Sequence, residues 1–163
     1  MEWPHRPGSV VRLPEPLEPA SQPGRFVQEA RADIQIGSPE QAAAYLQQHI
    51  YRPFDQFDQE ELWVLLLNTK NWITHQVMVY RGTVNSALIR PVELFKEAVR
   101  VNATGLILSH CHPSGDPLPS PVDVEVTRSV VDAGHLLGIE VLDHLVIGDE
   151  KWVSMRRKRL GFE

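Results

Sequence analysis

In the stretch LSHCHPSGDPLPSPVD, residues 108–123, two histidines stand one residue apart, a Pro/Gly-rich loop follows, and a serine precedes an aspartate by three positions. Imidazoles and carboxylates at this density are metal donors. Alternate side chains of a strand share a face, so His110 and His112, at the end of the apolar run TGLILSH, point the same way provided the extended backbone continues through Cys111. Asp123 falls on the first turn of a helix predicted to start after Ser120, and the loop 113–119, with Gly115 in it, is long enough to fold that turn back toward the strand end. Two histidines and one carboxylate leave a tetrahedral Zn²⁺ with a fourth position open to water, the arrangement of catalytic rather than structural sites. Each half also has a plain structural reading. Histidines end strands for packing reasons, and Ser120, Pro121 and Asp123 make an ordinary helix start of serine cap, proline and acid.

The elements that must position these groups are legible in the apolar pattern. Ser38, Pro39 and Gln41 form a helix-start signature for a first helix over 38–51. The run LWVLLL (62–67), the turn NTKN (68–71) and the β-rich ITHQVMVYRG predict a hairpin. Pro91 opens a second amphipathic helix, PVELFKEAVRV, with Val92, Phe95 and Val99 on one face, and residues 104–110 follow as a buried strand. The third helix runs from Pro121 to a stop near Gly138; IEVLDHLVIG and KWVSM are the last strands. A hairpin followed by strand–helix–strand implies an α/β fold, a mixed sheet flanked by helices.

The whole spacing, His-x-His, seven residues, Ser, two residues, Asp, together with IEVLDHLVIGD, YRGTVNSALIRPVELF and NATGLILSH, resembles the RadC-like branch of the JAB/MPN (JAMM) zinc metalloprotease superfamily, over roughly residues 40–160. The resemblance implies a single JAB/MPN-type, cytidine-deaminase-like domain over 33–163. It implies Zn²⁺ held by His110, His112 and Asp123, and Ser120 hydrogen-bonding the oxyanion of a tetrahedral intermediate. It also implies a glutamate base at the junction of the first helix and first strand. Aligning LWVLLLN with the family pattern puts Glu60 in that place, with Glu61 next to it as the alternative. The expected reaction is hydrolysis of a peptide or isopeptide bond by a metal-activated water. Cys111 stands where the branch usually has asparagine. The helix-hairpin-helix module usual in the branch has no counterpart here, where residues 1–32 read as a Pro-rich flexible leader holding six of the thirteen prolines.

Other residues are set aside. Asp143 and His144, in VLDHLVIG, read as core residues or as groups orienting a ligand, and stay outside the site. Glu93 reads as a structural pair, and Cys111 as an inert thiol on the strand face opposite the histidines. A net charge of −5 argues against nucleic-acid binding over the whole surface. The basic cluster Arg156–Arg159 reads as a solvated tail, with DNA as a weakly supported partner. A non-catalytic MPN-type interaction module or a DNA-repair-associated accessory protein is the alternative to an enzyme. A zinc nucleoside deaminase would require His-x-Glu and Cys-x-x-Cys, which a chain with one cysteine cannot supply. With no signal-type apolar stretch and one cysteine, the expected location is cytoplasmic, with no membrane partner.

Overall fold

Strand pairing follows the apolar runs. The structure is a computed structural model that describes residues 26–30, 34–82 and 89–163. Strands β1 (Phe26–Glu29), β2 (Glu61–Leu67), β3 (Ile73–Arg81), β4 (Gly105–Cys111), β5 (Glu140–Ile147) and β6 (Trp152–Ser154) form one sheet in the order β1-β3-β2-β4-β5-β6. β2 pairs antiparallel with β3, as their hairpin requires, and also with β4, while β4 and β5 run parallel around an intervening helix. This is the expected mixed α/β sheet.

Helices cover both faces. Helix α1 (Pro39–His49) is capped by Ser38, whose hydroxyl accepts the Gln41 N–H at 3.3 Å, and it packs Ala42, Ala43, Tyr45 and Leu46 against Leu65, Leu67 and Ile107. Helices α2 (Pro91–Arg100) and α3 (Pro121–Leu137) cover the other face, where Leu94, Phe95, Ala98, Val126 and Val130 meet Leu62, Val64, Leu66, Leu106 and Leu108. Covered on both sides, β4 is buried at every residue, which is why it reads as a continuous apolar run instead of an alternating one. Each fully buried leucine of this central pair contributes about 1.5–3 kcal/mol relative to exposure.

Two expectations need correction. Strand β1 lies inside the stretch read as leader, so the sheet begins before residue 33; four residues of FVQE are too short for an alternation signal to show. Gln76 fastens this strand, accepting from the Tyr45 hydroxyl at 2.6 Å and donating to Gln28 at 2.9 Å. The remainder of the leader, residues 1–25 and 31–32, lies outside the described residues. On α2 the buried stripe is Leu94, Phe95 and Ala98, whereas Val92 and Val99 are about half exposed, at 53% and 56%. The helix is rotated so that its stripe meets the sheet and α3 together. Among the described residues no helix is long and apolar enough to cross a membrane.

Candidate metal centre

The site is built where β4 ends against the start of α3. β4 stays extended through Cys111, so His110 and His112 share the α3 face of the sheet. His110 Nε2 lies 3.0 Å from His112 Nε2 and 3.2 Å from Asp123 Oδ1, and His112 Nε2 lies 3.6 Å from Asp123 Oδ2. Donors about 2.0–2.1 Å from a tetrahedral Zn²⁺ stand roughly 3.3 Å apart, and the three separations bracket that value. One ligand atom from each of the three groups lies within 4.8 Å of the other two.

A capping box fixes Asp123. The Ser120 N–H and hydroxyl donate to its Oδ2 at 2.6 and 2.7 Å, and its own N–H donates back to the Ser120 hydroxyl at 3.2 Å. Oδ1 is left for His110, and the positive helix end favours the carboxylate. The loop before it turns at Gly115, whose φ of +87° suits glycine. A Cβ on Gly148, in the β5–β6 turn, would meet the Gly115 carbonyl oxygen at 2.2 Å, so this close approach requires glycine at 148. This contact presses the loop onto the sheet.

Electrostatics agree with the geometry. His112 Nδ1 lies 2.9 Å from the Asp116 carbonyl oxygen, which can only accept, so Nδ1 carries a proton and Nε2 is the nitrogen turned to the site. Lone pairs converging at 3.0–3.6 Å repel unless positive charge sits among them. Accordingly, the hydrogen bond with Asp123 raises the His112 pKa against the pull of burial, and the Asp116 carbonyl and the charges of Asp123 and Glu60 add to it. Burial pushes the Asp123 carboxyl up, but the bonds from His110 and His112 outweigh it and hold the group well below the usual carboxylate range.

Behind His110 stands His144, on β5. Its Nε2 lies 2.7 Å from His110 Nδ1, and its Nδ1 lies 2.6 Å from the Thr127 hydroxyl on α3. Burial drives this imidazole well below the usual histidine pKa, and the proximity of His110 adds to the effect. Sequence reasoning set His144 aside as core; the structure shows it buried and bonded to His110 as well.

The two glutamates separate by sheet face. Leu62 pairs with His110, and on the same antiparallel register Glu60, just before β2, falls opposite His112. Residues directly opposite share a face, so Glu60 belongs to the histidine side. Glu61 belongs to the other side, with Trp63 and Cys111. Its carboxylate accepts from Trp63 Nε1 at 2.9 Å and pairs with Arg81 at 3.6 Å.

Residues 36–160 match the family model of the RadC-like JAB domain. The chain belongs to the RadC-like JAB family. It is 47% identical over 129 residues to a UPF0758 protein of Roseiflexus castenholzii, which covers 79% of this chain and 54% of that relative. It is 46% identical over 134 residues to a UPF0758 protein of Chloroflexus aurantiacus, covering 82% and 58%. A UPF0758 protein of Bacillus cereus is 47% identical over 124 residues, covering 76% and 53%. The chain therefore spans a little over half the length of these curated relatives.

In this RadC-like domain the remaining singled-out residues have structural surroundings. Cys111 packs with Tyr51, Trp63 and Ile147 on the face away from the histidines, and burial pushes its thiol up to about 12. Glu93 is in the first turn of α2. Asp143 accepts from the His144 N–H, the Ser154 hydroxyl and the Arg156 N–H at 2.7, 2.6 and 3.1 Å. The basic cluster is not a free tail. Arg156 donates to the carbonyls of Val141 and Leu142 and lies over the Phe162 ring, while Arg157 pairs with Glu40. The C-terminal turn folds back on the sheet because these guanidiniums find carbonyl and carboxylate acceptors there.

Proposed function

We propose that the domain is a metal-dependent hydrolase that cleaves a peptide or isopeptide bond, with Zn²⁺ held by His110, His112 and Asp123. The observation supporting it most strongly is the gathering of His110 Nε2, His112 Nε2 and the Asp123 carboxylate, with nearest separations of 3.0–3.6 Å, and a further acid on the same sheet face. Bound there, Zn²⁺ would polarise the scissile carbonyl and bring the pKa of a bound water toward about 7. Glu60 would take the proton of the attacking water and return it to the leaving nitrogen. Glu61 is unsuited to that work, since Trp63 and Arg81 engage its carboxylate on the opposite face. The Ser120 hydroxyl donates to Asp123 in this conformation; turned toward the substrate, it would donate to the developing oxyanion. A cytoplasmic location is part of the same reading, supported by the unpaired, buried thiol of Cys111.

Metal analysis of the purified protein, with hydrolysis of a peptide and ubiquitin-like isopeptide panel, tests the proposal. Zn²⁺ close to one per chain is expected, lost in His112→Ala. Glu60→Gln should keep the metal and lose at least about 100-fold in turnover, while Glu61→Gln loses far less. Zinc-free wild type with His112→Ala indistinguishable from it would sink the metal reading. Full metal with no turnover on any amide would leave an interaction module.

A further inference from the structure

His110 is held by a chain of hydrogen bonds whose direction is forced at each link. Thr127 Oγ lies 2.6 Å from the Asp123 backbone carbonyl oxygen. A carbonyl only accepts, and the other acceptor near this hydroxyl, Met155 Sδ at 3.4 Å, is farther and weaker, so the single hydroxyl proton of Thr127 goes to the carbonyl. At 2.6 Å from His144 Nδ1, the same oxygen must then accept, which places the His144 proton on Nδ1. His144 is 1% exposed, and its ring bonds given by the structure are to Thr127 and His110, neither of them a carboxylate. As a neutral imidazole with Nδ1 protonated, it presents a lone pair at Nε2, 2.7 Å from His110 Nδ1. His110 Nδ1 therefore donates, and His110 Nε2 bears the lone pair facing Asp123 and His112.

We propose that His144 and Thr127 are positioning residues that set the tautomer and ring orientation of His110, so that its Nε2 is presented to the metal. Outer partners of metal-bound histidines are usually carboxylates or backbone carbonyls. Here a second histidine does this work, and its own tautomer is set from the helix that supplies Asp123. Two of the three donors are thereby tied together: the Asp123 backbone carbonyl anchors the chain that ends at His110 Nε2. The same helix turn fixes both the carboxylate and, through Thr127 four residues on, the imidazole. The inference rests on the reading of His110, His112 and Asp123 as metal ligands.

The test measures Zn²⁺ affinity by chelator competition in wild type, His144→Leu and His144→Gln, together with ring ¹⁵N spectra of the wild-type histidines. His144→Leu fills the space and removes the acceptor; it should weaken binding about 10–100-fold with the fold retained. His144→Gln restores an acceptor near the position of Nε2 and should return affinity to within about threefold. The spectra should show His110 protonated at Nδ1. Wild-type affinity in His144→Leu, equal loss in the leucine and glutamine variants, or a His110 proton on Nε2 would each overturn the inference. If wild type binds no Zn²⁺, the metal reading fails, and the tautomer spectrum still decides what His144 does to His110.

Discussion

Asp143 and His144 are neighbours on β5, both at least 96% buried, yet they serve opposite faces of the sheet. The Asp143 cluster is closed: three donors reach its two oxygens, joining β5 to β6 and to the C-terminal turn. The His144 chain is open, running from α3 through Thr127, His144 and His110 and ending in a nitrogen that faces Asp123 and His112. A buried polar group whose bonds all return to the fold is a fastening. One whose bonds leave a lone pair aimed at other donors has a further occupant in view.

Variants can separate the two. Asp143→Ala strands a hydroxyl and two N–H groups in the interior and should cost on the order of 3 kcal/mol in urea unfolding. Its zinc affinity should stay within threefold of wild type; a large affinity loss in the still-folded protein would erase the distinction. Thr127→Val, which keeps the shape and removes the hydroxyl, should do the reverse: about a tenfold loss of zinc affinity with stability changed by about 1 kcal/mol. Gly148→Ala forces apart the two backbones that hold the site loop and should cost about 1–3 kcal/mol, with weakened metal binding as the loop shifts. Crystal structures of the variant would show whether His112 moves with it.

Smaller effects concern single groups. The Cys111 thiol, at about 12, should resist iodoacetamide at pH 8 in the native protein and react on unfolding. Rapid native labelling would mean that the end of β4 opens. Burial raises the Asp143 carboxyl above its ordinary 3.8, so the folded protein keeps this proton to higher pH than the unfolded chain does. Its contribution is complete below 3.8 and falls as pH rises through the folded value. Unfolding free energies taken from pH 3 upward should accordingly slope less in Asp143→Asn than in wild type.

The grouping of His110, His112 and Asp123 was legible because both devices that build it are local: strand alternation for His110 and His112, and a capping box for Asp123. Glu60 was reached only through a family pattern, and separating it from Glu61 by sheet face needed the β2–β4 register. His144 was hidden by an irregularity. Leu106 pairs with Val141 but Ile107 pairs with Asp143, so β5 holds one extra residue at Leu142. Regular alternation from Val141, which faces α3, would have turned Asp143 to the site and His144 away. The bulge exchanges them, and Gly105 makes room for it, since a Cβ there would meet Leu142 Cδ1 at 2.6 Å. Nothing in VLDHLVIG announces that step.

Strand β1 matters beyond its four residues. It pairs with His75–Met78 at the middle of the outer edge of β3, a nine-residue strand whose backbone groups there would otherwise lack a strand partner on that side. A recombinant fragment trimmed to begin at residue 34 would keep His110, His112 and Asp123 and still present an open edge to its own copies. Such a fragment should self-associate through β3, whereas one beginning at or before residue 26 is shielded from that route to aggregation.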